Sequence, residues 1–434
     1  MKKFFAMLLV LVMALSLIGC AAEPEAPAAE APAAEAPAAE APAAEEAPAA
    51  EEAAPAAKIG LILVHDENSG YDVAHIDGMK GAQAALGLSD DQIIYKYNIP
   101  EDEVCYDTAV DLVEQGCTLV ISNSYGHQSF MVQAAREYPE VQFVAATGDT
   151  AAISGLDNIG NMFPYTFQSR YVSGVVAGMK LKELMDAGTV TDPYVGYVGA
   201  YPYAEVVSGY TAFFLGIQSI VPEAHMDVQY TNSWYDPVAE GEAANALMSK
   251  GCVIIGQHAD STGAPSAVQA ALDAGNVAYS VGYNIDMLAV APTAALTSAQ
   301  NNWSVLYAAT IKAFQEGNVP TDYSAGSANN AVMISDLGPS CAEGTKEAVD
   351  AAWAGIADGS LKVFDTSKFT CAESADGSYT VDADGHVTSA FGLDTNGDWV
   401  NDAGEAVVDG AFVESTLRSA PYFALRINGI TELN

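Results

Sequence analysis

The stretch KIGLILVHDENSGYDVAHIDGMKGAQAAL, residues 58–86, decides the fold. From Ile59 to Val64 it is apolar apart from Gly60, with no polar residue on alternate positions. A strand of that kind is covered on both faces, which is the situation of a parallel sheet with helices on either side. The polar turn after it leads into apolar residues at helical spacing over 72–86. Strand, turn and helix together open a βαβ unit. In open α/β sheets ligands settle in the loops beyond the carboxyl ends of the strands. The segment DENSGYDVAHIDGMKG, residues 66–81, is therefore either a solvated connection or one wall of a binding site.

The same pattern recurs down the chain. Short β-branched runs predict strands at 58–64, 92–96, 118–122, 141–146, 194–198, 226–230, 252–256 and 277–281. Helical windows fall between them at 72–86, 104–115, 128–137, 166–187, 203–218, 237–250 and 263–274. This is an α/β protein with right-handed βαβ winding. An internal echo divides it in two. Leu112 to Ile121 and Leu247 to Ile255 each carry a helix end, a closing Gly, a Cys and a buried strand. The fold expected is two Rossmann-like lobes. The first takes 58–165 together with 298–335, helix 301–316 included, and the second takes 166–297. Residues 336–434 carry no lobe assignment, and their Asp-, Gly- and Thr-rich end reads as hairpins and loops.

Residues 1–20 read as an export signal: Lys2 and Lys3 precede an apolar stretch too short for a comfortable membrane span. Leu17-Ile18-Gly19-Cys20 matches a bacterial lipobox, with Cys20 as the acylated residue; an ordinary secretory signal with a chance cysteine is the alternative. Residues 21–57 repeat Ala-Pro-Ala-Ala-Glu, and proline together with charge repulsion makes this a semi-extended tether. The expected location is the extracytoplasmic face of the cell membrane, held by the N-terminal lipid.

The whole chain has 16 basic and 56 acidic residues, a net charge of −40. Setting aside Lys2, Lys3 and the nine tether glutamates leaves 14 against 47, or −33, for the body. That balance excludes nucleic-acid and anionic-lipid binding through basic patches. Five cysteines remain after Cys20, without zinc-site spacing. Cys341 and Cys371 flank one late segment, where a disulfide and free thiols are equally open. Cys117 and Cys252 read as small buried hydrophobes.

Collecting the post-strand loops gives a coherent set. It contains Asp66, Tyr71 and His75 after the first strand, then Asn123 and Tyr125, then Thr147 to Asp149. The later half adds Tyr203, Trp234, His258 with Asp260, and Asn284 with Asp286. None of these loops contains Lys or Arg. Such a wall suits a flat, neutral ligand whose rings stack on aromatic faces while Asn, Asp and His read its edge. Taken singly, each aromatic is as well explained by packing, and His75 by a satisfied core histidine. The chain carries no P-loop, no dinucleotide fingerprint, no G-x-S-x-G and no H-E-x-x-H. No enzyme activity and no cofactor are expected.

One late run has calcium-loop order: Asp394, Asn396, Asp398, Asp402 and Glu405, with the Val400 carbonyl between. Trp399 stands where such a loop needs glycine, and the favoured reading is an Asp/Asn/Gly hairpin turn.

Taken together, the motifs resemble a known family. They are the lipobox and tether, Gly70-Tyr-Asp-Val-Ala-His-Ile-Asp-Gly78, Phe167 to Gly178, Val195 to Pro202, Ser233 to Pro237, Gly251 to Asp260, Gly282 to Asp286 and Leu296-Thr-Ser298. In order, over about 58–360, they resemble the basic membrane protein family of ABC-transporter substrate-binding lipoproteins, which includes purine nucleoside receptors. The resemblance implies a type I periplasmic-binding fold whose two lobes, joined by three crossings, close on a ligand and present it to an ABC permease. It implies a purine held between one aromatic from each lobe, here Tyr71 and Tyr203, with Trp234 as the substitute for the second. Asp286 falls where the family receives ribose hydroxyls, and His75 where nucleoside receptors carry Asn. The chain departs from the family at Ala299-Gln300-Asn301, which lacks a lysine, and at Gly-Tyr-Asn-Ile-Asp, which lacks one carboxylate. A purine nucleoside or base, bound by a monomer, is the expectation. A sugar-like neutral solute is the alternative, and a surface hydrolase or adhesion module the third reading.

Overall fold

The strand expected over 58–64 is β1 (Ile59–Ile62), every residue of it buried. Helix α1 (Gly70–Leu86) follows. The Ser69 hydroxyl accepts the Asp72 N–H at its start, and Gly87 ends it at a φ of 67°, a conformation that costs glycine little. The first half continues with β2 (Ile93–Lys96), α2 (Glu103–Glu114), β3 (Leu119–Ser122), α3 (Gln128–Glu137), β4 (Gln142–Ala146) and β5 (Ile159–Pro164). The second half repeats the theme. It runs α4 (Thr166–Asp186), β6 (Tyr194–Gly199), α5 (Ala204–Gln218), β7 (His225–Tyr230), α6 (Pro237–Lys250), β8 (Ile254–His258), α7 (Gly263–Asp273), β9 (Tyr279–Tyr283) and β10 (Ala295–Asn301). Then come α8 (Trp303–Gln315), β11 (Asp322–Ala325) and β12 (Val332–Ile334). This computed structural model describes residues 57–398 and 400–434. The expected signal, the Cys20 acylation site and the tether to residue 56 lie outside the described residues.

Two sheets result. The first has the order β11-β5-β4-β3-β1-β2 and is parallel throughout. In the second, β10-β9-β8-β6-β7 are parallel, and β12 lies antiparallel on β10. The chain passes between the sheets three times: after β5, after β10, and between β11 and β12. The passages are tied side by side. Thr166 Oγ1 donates to Asn301 Oδ1 at 2.9 Å, and the Tyr165 N–H to the Ala325 carbonyl at 2.8 Å.

Several expectations are corrected. Ile159–Pro164, where no strand was expected, forms the buried strand β5. A lobe boundary at 297/298 falls inside β10, whose ladder continues through Thr297, Ser298 and Ala299. β12, within the stretch assigned to the first lobe, pairs with β10 of the second sheet. The crossing lies instead just after Asn301. Trp303 there starts α8, which packs on α1 so closely that a Cβ on Gly78 would stand 2.4 Å from that of Trp303. The described cysteines are free thiols, so no disulfide joins Cys341 to Cys371. Cys341 Sγ instead lies 3.2 Å from the Leu296 carbonyl.

The C-terminal segment belongs to the second lobe. It consists of α9 (Thr345–Asp358), an antiparallel sheet of β13 (Tyr379–Val381), β14 (Val387–Leu393) and β15 (Ala403–Glu405), and a small ladder of β16 (Val407–Val408) with β17 (Ala411–Phe412). A final strand, β18 (Ile430–Glu432), adds in parallel to β7. Phe364, Phe369, Phe412, Tyr422 and Phe423 share one apolar core with α4 and α5. Its contacts with the first lobe include an Arg418–Asp149 ion pair at 3.2 Å and bonds from the Ser419 N–H and hydroxyl to Asp322 Oδ1 at 2.9 and 2.8 Å.

The acidic run 394–405 joins β14 to β15. Asp394 accepts the N–H groups of Asn396 and Gly397, Asn396 that of Asp398, and Asp398 that of Val400. Asp402 holds Thr395, and Glu405 accepts from Ser389 and the Ala390 N–H. These are hairpin-turn bonds between strands, and among the described residues no three acidic, His or Cys side chains converge to hold a metal ion.

Candidate functional site

The carboxyl ends of the two sheets face each other. From the first lobe, Val64 beyond β1, Tyr71 in the first turn of α1, Ser124 and Tyr125 beyond β3 and Thr147 beyond β4 point into one space. From the second, Glu205 opens α5, Trp234 and Asp260 follow β7 and β8, and Tyr283 ends β9. The cavity they enclose holds about 20 Å³, room for roughly one water. The lobes are closed upon it. The Gly70 N–H donates to the Asp260 carbonyl at 3.2 Å across the cleft, and the His65 and Tyr235 rings meet at 5.5 Å.

Tyr71 is positioned from behind. Its hydroxyl donates to the Asn123 carbonyl. The Asn123 side chain accepts the Val64 N–H at 2.9 Å and donates to Asp72 at 2.8 Å. Asn123 is thus a strut binding the loop after β3 to the connection between β1 and α1 rather than part of the wall. His75, expected to read the ligand edge, lies one helical turn below Tyr71 and is fully buried. Its ring stacks on Trp303 at 3.9 Å and its Nδ1 lies 2.5 Å from Tyr307 Oη. Burial pulls its pKa well below the usual histidine value, so it is a neutral core residue.

The wall carries two acids, Glu205 and Asp260. Burial pushes Glu205 up to about 7, against the opposing pull of Arg170. Asp260 is raised well above the usual range by burial first, then by Glu240, Asp72 and Glu205. It accepts from Asn284 Nδ2 at 2.8 Å, so Asn284 orients the acid from beneath. His258 is buried behind the wall with Nε2 3.6 Å from Glu205 Oε1; desolvation, then Arg170, depress its pKa, leaving it neutral. Arg170 lies under the floor. Its guanidinium sits 3.6 Å over the Tyr283 ring and donates to the Gln257 carbonyl at 2.7 Å.

Besides His75, Asn123, His258 and Asn284, three further expected residues stand away from the inner cavity. Asp66 turns outward to Asn68 and Asn98. Asp286 is exposed and caps the turn at Leu288, because its loop carries Asn284 rather than Asp286 inward. Tyr203 is 45 % exposed, stacked on Tyr201 at 5.0 Å, outside the position that Trp234 fills. Tyr71, Tyr125, Trp234 and Asp260 do converge. Glu205 was missed, and Tyr283 was read as part of the loop of Asn284 and Asp286 without being singled out as a ligand contact. A single acid in the first turn of the otherwise apolar helix 204–218, directly after a strand, was the available signal for Glu205.

Four aromatic faces and two acids, with no Lys or Arg, line this inner wall. Two parallel lobes joined by three crossings around it define a type I solute-binding protein. A solved solute-binding protein of an ABC transporter system from Aeropyrum pernix has the same fold, with a TM-score of 0.60 at 16% identity over 74% of this chain and 95% of that one. Residues 65–337 match the family model described as ABC transporter substrate-binding protein, PnrA-like, and the chain belongs to that family. It is a family of solute binders rather than enzymes. A purine-binding protein of Brucella abortus is 32% identical over 261 residues, 60% of this chain and 69% of that protein. A Haloferax volcanii protein named for glucose binding in ABC transport is 32% identical over 252 residues, 58% of this chain and 60% of that one. No helix among the described residues is long and apolar enough to cross a membrane.

Proposed function

We propose that this chain captures a purine nucleoside or base between its lobes and delivers it to an ABC permease. The observation that carries the reading is the cation-free inner wall, where Tyr71 and Trp234 face one cavity from opposite lobes beside Glu205 and Asp260. Rings stack on the aromatics, and purine N–H groups donate to the carboxylates. The cavity is smaller than a purine, so entry requires the lobes to part and closure to follow. The protein acts as a monomer, tethered outside the cytoplasmic membrane by lipid on Cys20. The similarity to a purine-binding protein supports the ligand class. A second reading, a neutral sugar, is favoured by the equally similar protein named for glucose. Tyr71→Ala and Trp234→Ala should each weaken purine binding at least tenfold, about 1.4 kcal/mol. Full purine affinity in both variants, measured by equilibrium titration, would return these residues to simple packing.

A further inference from the structure

A second, much larger space adjoins the inner cavity. It holds about 710 Å³, within the range of roughly 300–1,000 Å³ typical of ligand sites. Its base comes from both lobes, with Asp149 and Ile153 on one side and Pro202 and Tyr203 on the other. Its roof is the C-terminal segment, including Tyr379, Phe391 and Tyr422. Tyr125, Thr147 and Glu205 line both spaces, so those side chains are the partition between them. The roof lies beyond the family match at residues 65–337.

The attachment of the roof is lopsided. It is rooted in the second lobe through the shared aromatic core, and it meets the first lobe through the Arg418–Asp149 and Ser419–Asp322 contacts. An apolar root moves with its lobe, whereas polar contacts can part and re-form in water. The chamber is therefore completed as the lobes close. Its chemistry is specific. Both arginines on its surface are engaged, Arg418 by Asp149 and Arg426 by Glu432 at 3.1 Å. The other charges around it include Glu205, Glu373 and Asp376, all acids. An anionic tail meets repulsion there; an uncharged ring meets aromatic faces and hydrogen-bond acceptors.

We propose that this chamber is a second subsite of the receptor, holding a bulky uncharged substituent, a second ring or a glycosyl group, on a ligand whose nitrogenous head occupies the inner cavity. It rests on the purine reading of that cavity. The test is calorimetry on the full chain with adenosine, with adenosine carrying a neutral aromatic group at the 5′-oxygen or at the exocyclic nitrogen, and with adenosine 5′-monophosphate. At least one extended derivative should bind tenfold or more tighter than adenosine, and the monophosphate weaker than adenosine. Ala424→Trp, which fills the chamber from an exposed position, should abolish the preference for the derivative. Ala375→Trp gives a second, independent filling from another exposed position. Adenosine binding without a preference for either derivative, a preference that survives both tryptophans, or tightest binding of the monophosphate overturns the subsite alone. Silence for adenosine and both derivatives, and for guanosine, inosine and the free purine bases run beside them, overturns the purine reading and the subsite with it.

Discussion

Tyr71 and His75 share one face of α1, four residues apart, and they do different work. Tyr71 reaches the cavity, and His75 fills the space between α1 and α8 against Trp303 and Tyr307. The sequence shows the common face but not where the cavity ends along it, because that depends on how far α8 packs under the helix. His75→Phe should keep the stacking, leave Tyr307 without its partner and lower stability by about 1–3 kcal/mol, read as a fall in Tm, while purine affinity stays within twofold. Glu205 carries a pH prediction. Its pKa is raised to about 7, so the carboxylate that accepts ligand donors is lost as pH falls through that value. Affinity should rise between pH 6 and pH 8 and level off above, and in Glu205→Gln the rise should vanish. A rise of the same size in that variant would assign the titration to another group.

At the scale of elements the alternation of strand and helix was readable almost throughout. Continuous apolar strands, a Ser cap before α1 and closing glycines after α1 and α6 all carry local chemistry that points one way. β5 was lost because Ile-Gly-Asn-Met-Phe-Pro mixes glycine and a polar residue into the strand and leads almost directly into α4. β12 and β18, three residues each, are defined by the neighbours they pair with. The loops of the site were legible as a group, since they follow strands; which side chain of each loop turns inward was not, as Asn284 and Asp286 show. Gly174 of α4 and Gly216 of α5 have a clear cause in the fold: the two helices touch backbone to backbone. A Cβ on Gly174 would come within 2.0 Å of the Phe213 carbonyl, and one on Gly216 within 2.1 Å of that of Tyr171. Gly174→Ala should destabilise the second lobe by about 1–3 kcal/mol or more, seen as a lower Tm in thermal denaturation. An unchanged Tm would mean that the helices separate at little cost.

The described residues form two lobes, with the C-terminal segment rooted in the second. Three tied crossings form the hinge, and the closed state leaves about 20 Å³ inside. Solution scattering should show a larger radius of gyration without ligand than with saturating purine. Equal curves would make the hinge rigid. The most direct test of the central claim is titration calorimetry of the full chain against adenosine, guanosine, inosine, their free bases and glucose. Saturable one-to-one binding of at least one purine, with a negative heat-capacity change from the buried apolar surface, is the predicted result. Silence for every purine together with saturable binding of glucose would contradict it.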